Sequence, residues 1–139
     1  MNGHTYTVEF RIYSSNIDPS EITKELGLQP CQTRMANTTP VRKSSKNMWA
    51  YDGGEGSQEW DSLEEGITCV LDKLWIHRGT IGKYKPDADL VWWCGNFQSS
   101  FDGGPRLSPE LLKRLGEFGA SLFIDCYFSS NEDKEEGHG

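Results

Sequence analysis

The sequence has no long apolar run, no paired cysteines and few cations. No stretch approaches the roughly 20 consecutive apolar residues of a membrane-spanning helix, so no contact with a bilayer is expected. The first residues, MNGHTYTVEF, have neither the basic start nor the apolar segment of a secretory signal, and a cytoplasmic location is expected. Cys31, Cys69, Cys94 and Cys126 are too widely spaced for a Cys-x-x-Cys pair, and His4, His77 and His138 do not cluster with them. Structural zinc draws on ligands at short spacing. No metal site is therefore expected, and the cysteines read as reduced, mostly buried thiols. The glycine-rich segment Asp52-Gly53-Gly54-Glu55-Gly56 has no Lys-Ser/Thr after it and no apolar strand feeding it, so it is not a phosphate loop. No cofactor and no catalytic residue set are expected.

Positive charge is also scarce. Fourteen Lys and Arg stand against 21 Asp and Glu, a net charge of −7. This balance disfavours nucleic acid as a partner and favours a basic protein. Within the 139 residues, 1–130 read as one domain with a single core and 131–139 as a frayed acidic tail.

Alternation of apolar and polar residues from His4 to Tyr13 predicts a strand that buries Tyr6, Val8, Phe10 and Ile12 on one face. Asp18-Pro19 opens a short helix that Gly27 ends. Cys31–Asn37 and Lys46–Tyr51 are short strand candidates. A helix is predicted from Ser57, its N-cap, to Arg78, with Trp60, Leu63, Ile67, Val70 and Leu74 forming one apolar stripe. Residues 80–87 read as a polar loop. In 89–98, Val91, Trp93 and Phe97 oppose Leu90, Trp92 and Cys94. Both faces are apolar, which predicts a strand that is central or covered on both sides, with a bulge at Gly95. Ser108-Pro109 starts a last helix that ends at Gly119, and residues 122–128 form a last strand. A shift of 89 residues superposes Val8 on Phe97, Ile22 on Leu111 and Leu26 on Leu115. The resulting expectation is an α+β fold: an antiparallel or mixed sheet with helices on one face, ferredoxin-like in style, built from two strand–helix–strand units.

The most partner-like feature is acidic. From Asn47 to Leu71 there are Asp52, Glu55, Glu59, Asp61, Glu64 and Glu65, and no Lys or Arg. These six residues, with Trp49 as an aromatic anchor, are the expected partner-binding set. Asp102, before a Gly-Gly-Pro turn, and Asp125, between Ile124 and Cys126, are the carboxylates on which a small enzyme or ligand-binding domain would rest. A homodimer joined through exposed aromatics is a further alternative to a monomer.

The run FDGGPRLSPELLKRLGEFGASLFIDCYF, with Trp93 before it and Phe10-Arg11-Ile12, Asp18-Pro19 and Leu26-Gly27-Leu28 in the first half, resembles a family of small, mostly bacterial proteins known as domain of unknown function 4279. The resemblance runs from the first strand to the last, without placing 38–58. It carries over no catalytic residue and implies a stand-alone domain. Some such domains look like immunity proteins, which bind and neutralise a toxin. The function expected on that basis is a non-enzymatic inhibitor that presents its acidic surface to a basic toxin, for example a nuclease.

Overall fold

A computed structural model describes residues 4–38, 43–44, 46–54, 56, 58–100 and 103–128. The alternation at the N-terminus becomes β1 (His4–Ser14), whose eleven residues alternate between buried and half-buried until its last residue. Asp18 caps α1 (Pro19–Leu26) by accepting the Ser20 N–H at 2.9 Å, and Gly27 ends it in the left-handed region at φ +69°. Then come β2 (Gln32–Arg34), β3 (Asn37–Thr38), β4 (Lys43–Ser44), β5 (Asn47–Tyr51) and α2 (Leu63–Leu74). A 3-10 turn at Trp75–His77 leads to α3 (Arg78–Gly82), and another at Lys85–Asp87 leads to β6 (Asp89–Gln98). The chain closes with α4 (Pro109–Phe118) and β7 (Ser121–Phe128).

The main sheet has the order β2-β5-β1-β6-β7, and β3 pairs only with β4. β1 runs antiparallel to both β5 and β6, β2 is antiparallel to β5, and β6 is parallel to β7. β1 and β2 are therefore parallel with β5 between them, the split β-α-β arrangement of ferredoxin-like folds. The second unit, β6–α4–β7, instead joins two adjacent parallel strands. The α+β fold with two strand–helix–strand units is as the sequence predicts, but the 89-residue repeat holds only for the helices. Ile22 and Leu111 are both buried, as are Leu26 and Leu115. An odd shift exchanges the two faces of a strand, and Val8 is buried while Phe97 is exposed.

Helices α1, α2 and α4 contribute to one core with the buried side of the sheet. At its centre Phe10, Trp92 and Phe118 meet with ring centroids 5.1–5.6 Å apart, in the tilted and edge-on geometries that aromatic quadrupoles favour. Trp92 Nε1 is buried and has no hydrogen-bond partner among the described residues. An unsatisfied donor costs about 1–3 kcal/mol, which burial of the ring has to offset.

Three local expectations are corrected. The long helix starts at Leu63, with Ser62 as its N-cap, not at Ser57, which lies outside the described residues. Trp60 explains the later start: its N–H and C=O both bond to Tyr6 at 2.8 Å, which holds this segment extended beside β1. The segment 80–87 is not a polar loop. Ile81 and Tyr84 are buried in it and turn it helical against the core. Gly95 is not a bulge, because the β1–β6 register runs unbroken through Thr7↔Gly95.

Candidate functional site

The side of the sheet away from the helices is open across β1, β6 and β7. It is closed toward β5, where Met48 and Ala50 are fully buried. Strand register arranges the open part in rows. Thr5, Phe97 and Tyr127 form one; Thr7, Gly95 and Asp125 the next; Glu9, Trp93 and Phe123 the third; Arg11, Val91 and Ser121 the last. β6 is thus central, as its apolar residues predict, yet uncovered on the Trp93 side.

Each row has a local reason for its geometry. A Cβ at position 95 would lie 2.7 Å from Thr7 Oγ1 and 2.9 Å from the Phe97 ring. Glycine there leaves room for that ring, which stacks on Tyr127 with centroids 4.8 Å apart and planes 13° from parallel. The Tyr127 hydroxyl donates to Asp125 Oδ2 at 2.5 Å. That bond holds the proton on the phenol and raises its pKa. In the lower rows, Arg11 Nε donates to Glu9 Oε1 at 2.8 Å and Nη1 donates to the Tyr13 hydroxyl at 2.9 Å. Its guanidinium lies 4.3 Å from the Trp93 ring centroid. Burial works against the Arg11 charge, but the bonds to Tyr13 and Glu9 outweigh it and raise its pKa.

The acidic set divides under this geometry. Trp60 packs on the helix side, where its ring meets α2 at Gly66. Strand alternation around the Tyr6↔Trp60 bridge therefore turns Glu59 and Asp61 to the open side, at the positions beside Thr7 and Thr5. Both are exposed, as is Glu65 on α2. Glu64 is engaged internally. Its carboxylate accepts the Ser108 N–H at 2.6 Å and hydroxyl at 2.8 Å, tying the start of α4 to α2. Asp52 is half-buried and accepts the Gly54 N–H at 3.2 Å. Glu55 lies outside the described residues.

Trp49 is not an anchor for a partner. It is fully buried, stacks on Tyr51 and donates its indole N–H to Thr23 Oγ1 at 3.0 Å. Asp125 accepts from Tyr127 in its own strand, and Arg11 is held by Glu9 and Tyr13. Asp102 lies outside the described residues.

Sequence alone does not single out Arg11, Trp93, Phe97, Phe123 and Tyr127 as contact residues. Their signal was present in the polar alternation of β1 beside two strands that are apolar on both faces. It points equally to cover on both sides, because nothing local distinguishes a strand buried twice from one that displays aromatics.

Among the described residues no group of three or more His, Cys, Asp and Glu is placed to hold a metal ion. No helix there is long and apolar enough to cross a membrane. The surface offers flat aromatic rings, hydroxyls and carboxylates over three strands, an arrangement suited to contact with another macromolecule.

Comparison with known proteins identifies a family. The model of a family described as Domain of unknown function (DUF4279) covers residues 4–129, from the first residue of β1 to just past the end of β7. No curated protein and no solved structure matches the chain.

Proposed function

The chain belongs to the DUF4279 family, and on that premise we propose that it is a non-enzymatic protein-binding module that takes a basic protein on the open sheet face. Its concrete form is an immunity-type inhibitor acting in a bacterial cytoplasm, which neutralises a basic toxin, for example a nuclease, by covering its working surface. One juxtaposition carries this reading. Phe97 and Tyr127 form an exposed stacked pair, and Glu59, Asp61 and Asp125 are placed around it on the same side of the sheet. Aromatic rings at the centre of a contact supply burial, and carboxylates at its rim complement a basic partner. The net charge of −7 adds a long-range attraction that speeds encounter and is screened by salt.

The test is affinity capture from the source organism with wild-type and Glu59→Lys/Asp61→Lys baits. The reading expects one stoichiometric basic protein that the wild type retains at low salt, releases at high salt, and that the double variant fails to hold. Equal capture by both baits, or a partner indifferent to salt, would remove the open face and its charges from the interaction.

A further inference from the structure

Twice this chain seats its own arginine on an aromatic ring and pairs it with a carboxylate. On the open face the Arg11 guanidinium lies 4.3 Å from the Trp93 ring centroid, with Glu9 Oε1 at 2.8 Å and the Tyr13 hydroxyl at 2.9 Å. At the end of α2, Arg78 and Arg114 lie 4.4 and 4.7 Å from the Trp75 ring centroid, and Arg114 Nη2 pairs with Asp72 Oδ1 at 2.9 Å. Phe97, Tyr127 and Asp125 repeat the parts without the cation. The two rings stack with centroids 4.8 Å apart, and the Tyr127 hydroxyl donates to Asp125 Oδ2 at 2.5 Å. Among the described residues no cation lies over either ring, and no donor reaches Asp125 Oδ1. Phe97 and Tyr127 are 37% and 40% exposed, which leaves ring surface open to a visitor.

We propose that the Phe97–Tyr127 stack and Asp125 seat an arginine side chain of the basic partner, its guanidinium on a ring face and one N–H on the Asp125 carboxylate. The inference rests on the reading of the open face as the contact for a basic protein, and it names the group recognised there. Charge selects a cation. Asp125 stands on one side of Gly95, and Glu59 and Asp61 stand on the other, across β1 beside Thr7 and Thr5, so carboxylates approach the stack from two directions. Arg11, two rows from Asp125, is held by Glu9, Tyr13 and Trp93. Geometry then selects arginine over lysine. A planar guanidinium spreads over a ring while its edge donates to a carboxylate, whereas an ammonium is a strongly hydrated point charge that gives up more water for the same contact. The cations that this chain itself lays on aromatic rings, among the described residues, are arginines.

The test needs no identified partner. The isotope-labelled full chain is titrated with the peptide acetyl-Gly-Arg-Gly-amide and with its lysine counterpart, and the amide shifts are followed by NMR. The arginine peptide is expected to give saturable shifts centred on Gly95, Phe97, Asp125 and Tyr127, and the lysine peptide to bind about two- to fivefold more weakly. Phe97→Leu removes one ring of the stack and is expected to weaken the arginine peptide by about the same factor, while Phe97→Tyr retains it. Asp125→Asn keeps an acceptor for the Tyr127 hydroxyl but removes the charge, and is expected to weaken the arginine peptide at least about fivefold. The wild-type shift map depends on no substitution. Shifts that do not saturate, a map that falls elsewhere on the surface, equal affinity for the two peptides, or an Asp125→Asn variant that binds as the wild type does overturns the proposal. A basic partner captured by a chain whose stack ignores the arginine peptide overturns this site and leaves the open-face reading intact. An arginine peptide seated on the stack of a chain that captures no basic protein supports the site and removes that reading.

Discussion

The guanidinium of Arg11 lies over the ring of Trp93, 4.3 Å from its centroid, so the floor of the open face is a cation set on an indole. Glu9 and Tyr13 fix the same guanidinium from either side along β1. The Arg11 and Glu9 side chains are only 16% and 21% exposed, so their ion pair is less screened than a surface pair. Arg11→Ala is expected to cost about 1–2 kcal/mol of stability through loss of the ring contact and the hydrogen bonds. Arg11→Lys should recover less than half of that, because an ammonium lacks the planar fork that meets Glu9 and Tyr13 together. Urea unfolding of the three proteins measures both values.

Two glycines make opposite predictions. A Cβ at Gly66 would meet Trp60 Cδ1 at 2.8 Å and Val8 Cγ2 at 2.9 Å, in the packed layer between α2 and the sheet. Gly66→Ala is expected to destabilise by about 1–3 kcal/mol, despite the better helix propensity of alanine. At Gly95 the crowded groups are the Thr7 hydroxyl and the far edge of the exposed Phe97 ring. Gly95→Ala should therefore leave thermal stability nearly unchanged while lifting Phe97 from Tyr127. Near-ultraviolet circular dichroism and partner affinity would report that loss.

The carboxylates divide by the same logic. Glu64→Gln keeps one acceptor oxygen for the Ser108 N–H, whereas Glu64→Ala releases the N–H and hydroxyl, and with them the start of α4. A loss of about 1–2 kcal/mol is expected from thermal unfolding. Charge reversal at Glu59 or Asp61, both exposed, should change stability by less than about 0.5 kcal/mol and act only on binding.

Alkaline pH probes two thiols, that of Cys94, which is buried, and that of Cys31, an exposed residue; the cysteines are not mostly buried, since Cys126 is exposed too and Cys69 is half-buried. Burial pushes the Cys94 thiol from 9.0 up to about 12. The Cys31 thiol rises to about 12 as well, through partial desolvation and then the Glu9 and Asp52 carboxylates. A raised folded pKa means that the native state holds the proton more tightly than the unfolded chain. The associated stability is complete below pH 9 and falls as pH rises toward 12. Cys94 alone accounts for a slope of up to ~1.4 kcal/mol per pH unit in that window. Denaturant unfolding at neutral pH and in the alkaline window should show the fall in the wild type and a shallower one in Cys94→Ala.

What was legible in the sequence follows from how local each signal is. The caps Asp18 and Ser108, the stops Gly27 and Gly119 and the alternation of β1 act within a few residues and are found where the sequence puts them. The start of α2 was not legible from 57–62, because a contact with Tyr6, more than 50 positions earlier, holds Trp60 extended. The candidate site was half legible for a similar reason. Glu59 and Asp61 could be named as exposed acids, but their place beside the Phe97–Tyr127 stack depends on strand order. The expected anchor Trp49 is fully buried while Trp93 lies on the open face, and only the layer in which each strand face lies tells them apart.

The most direct test places a photo-crosslinking residue at position 97, within the stack, and separately at position 65, on the exposed side of α2, and irradiates each protein with its captured basic partner bound. Binding through the open sheet face predicts a strong adduct to the partner from position 97 and little from position 65. An adduct from position 65 with none from 97 would contradict it, and would move the contact to the acidic surface of the helix.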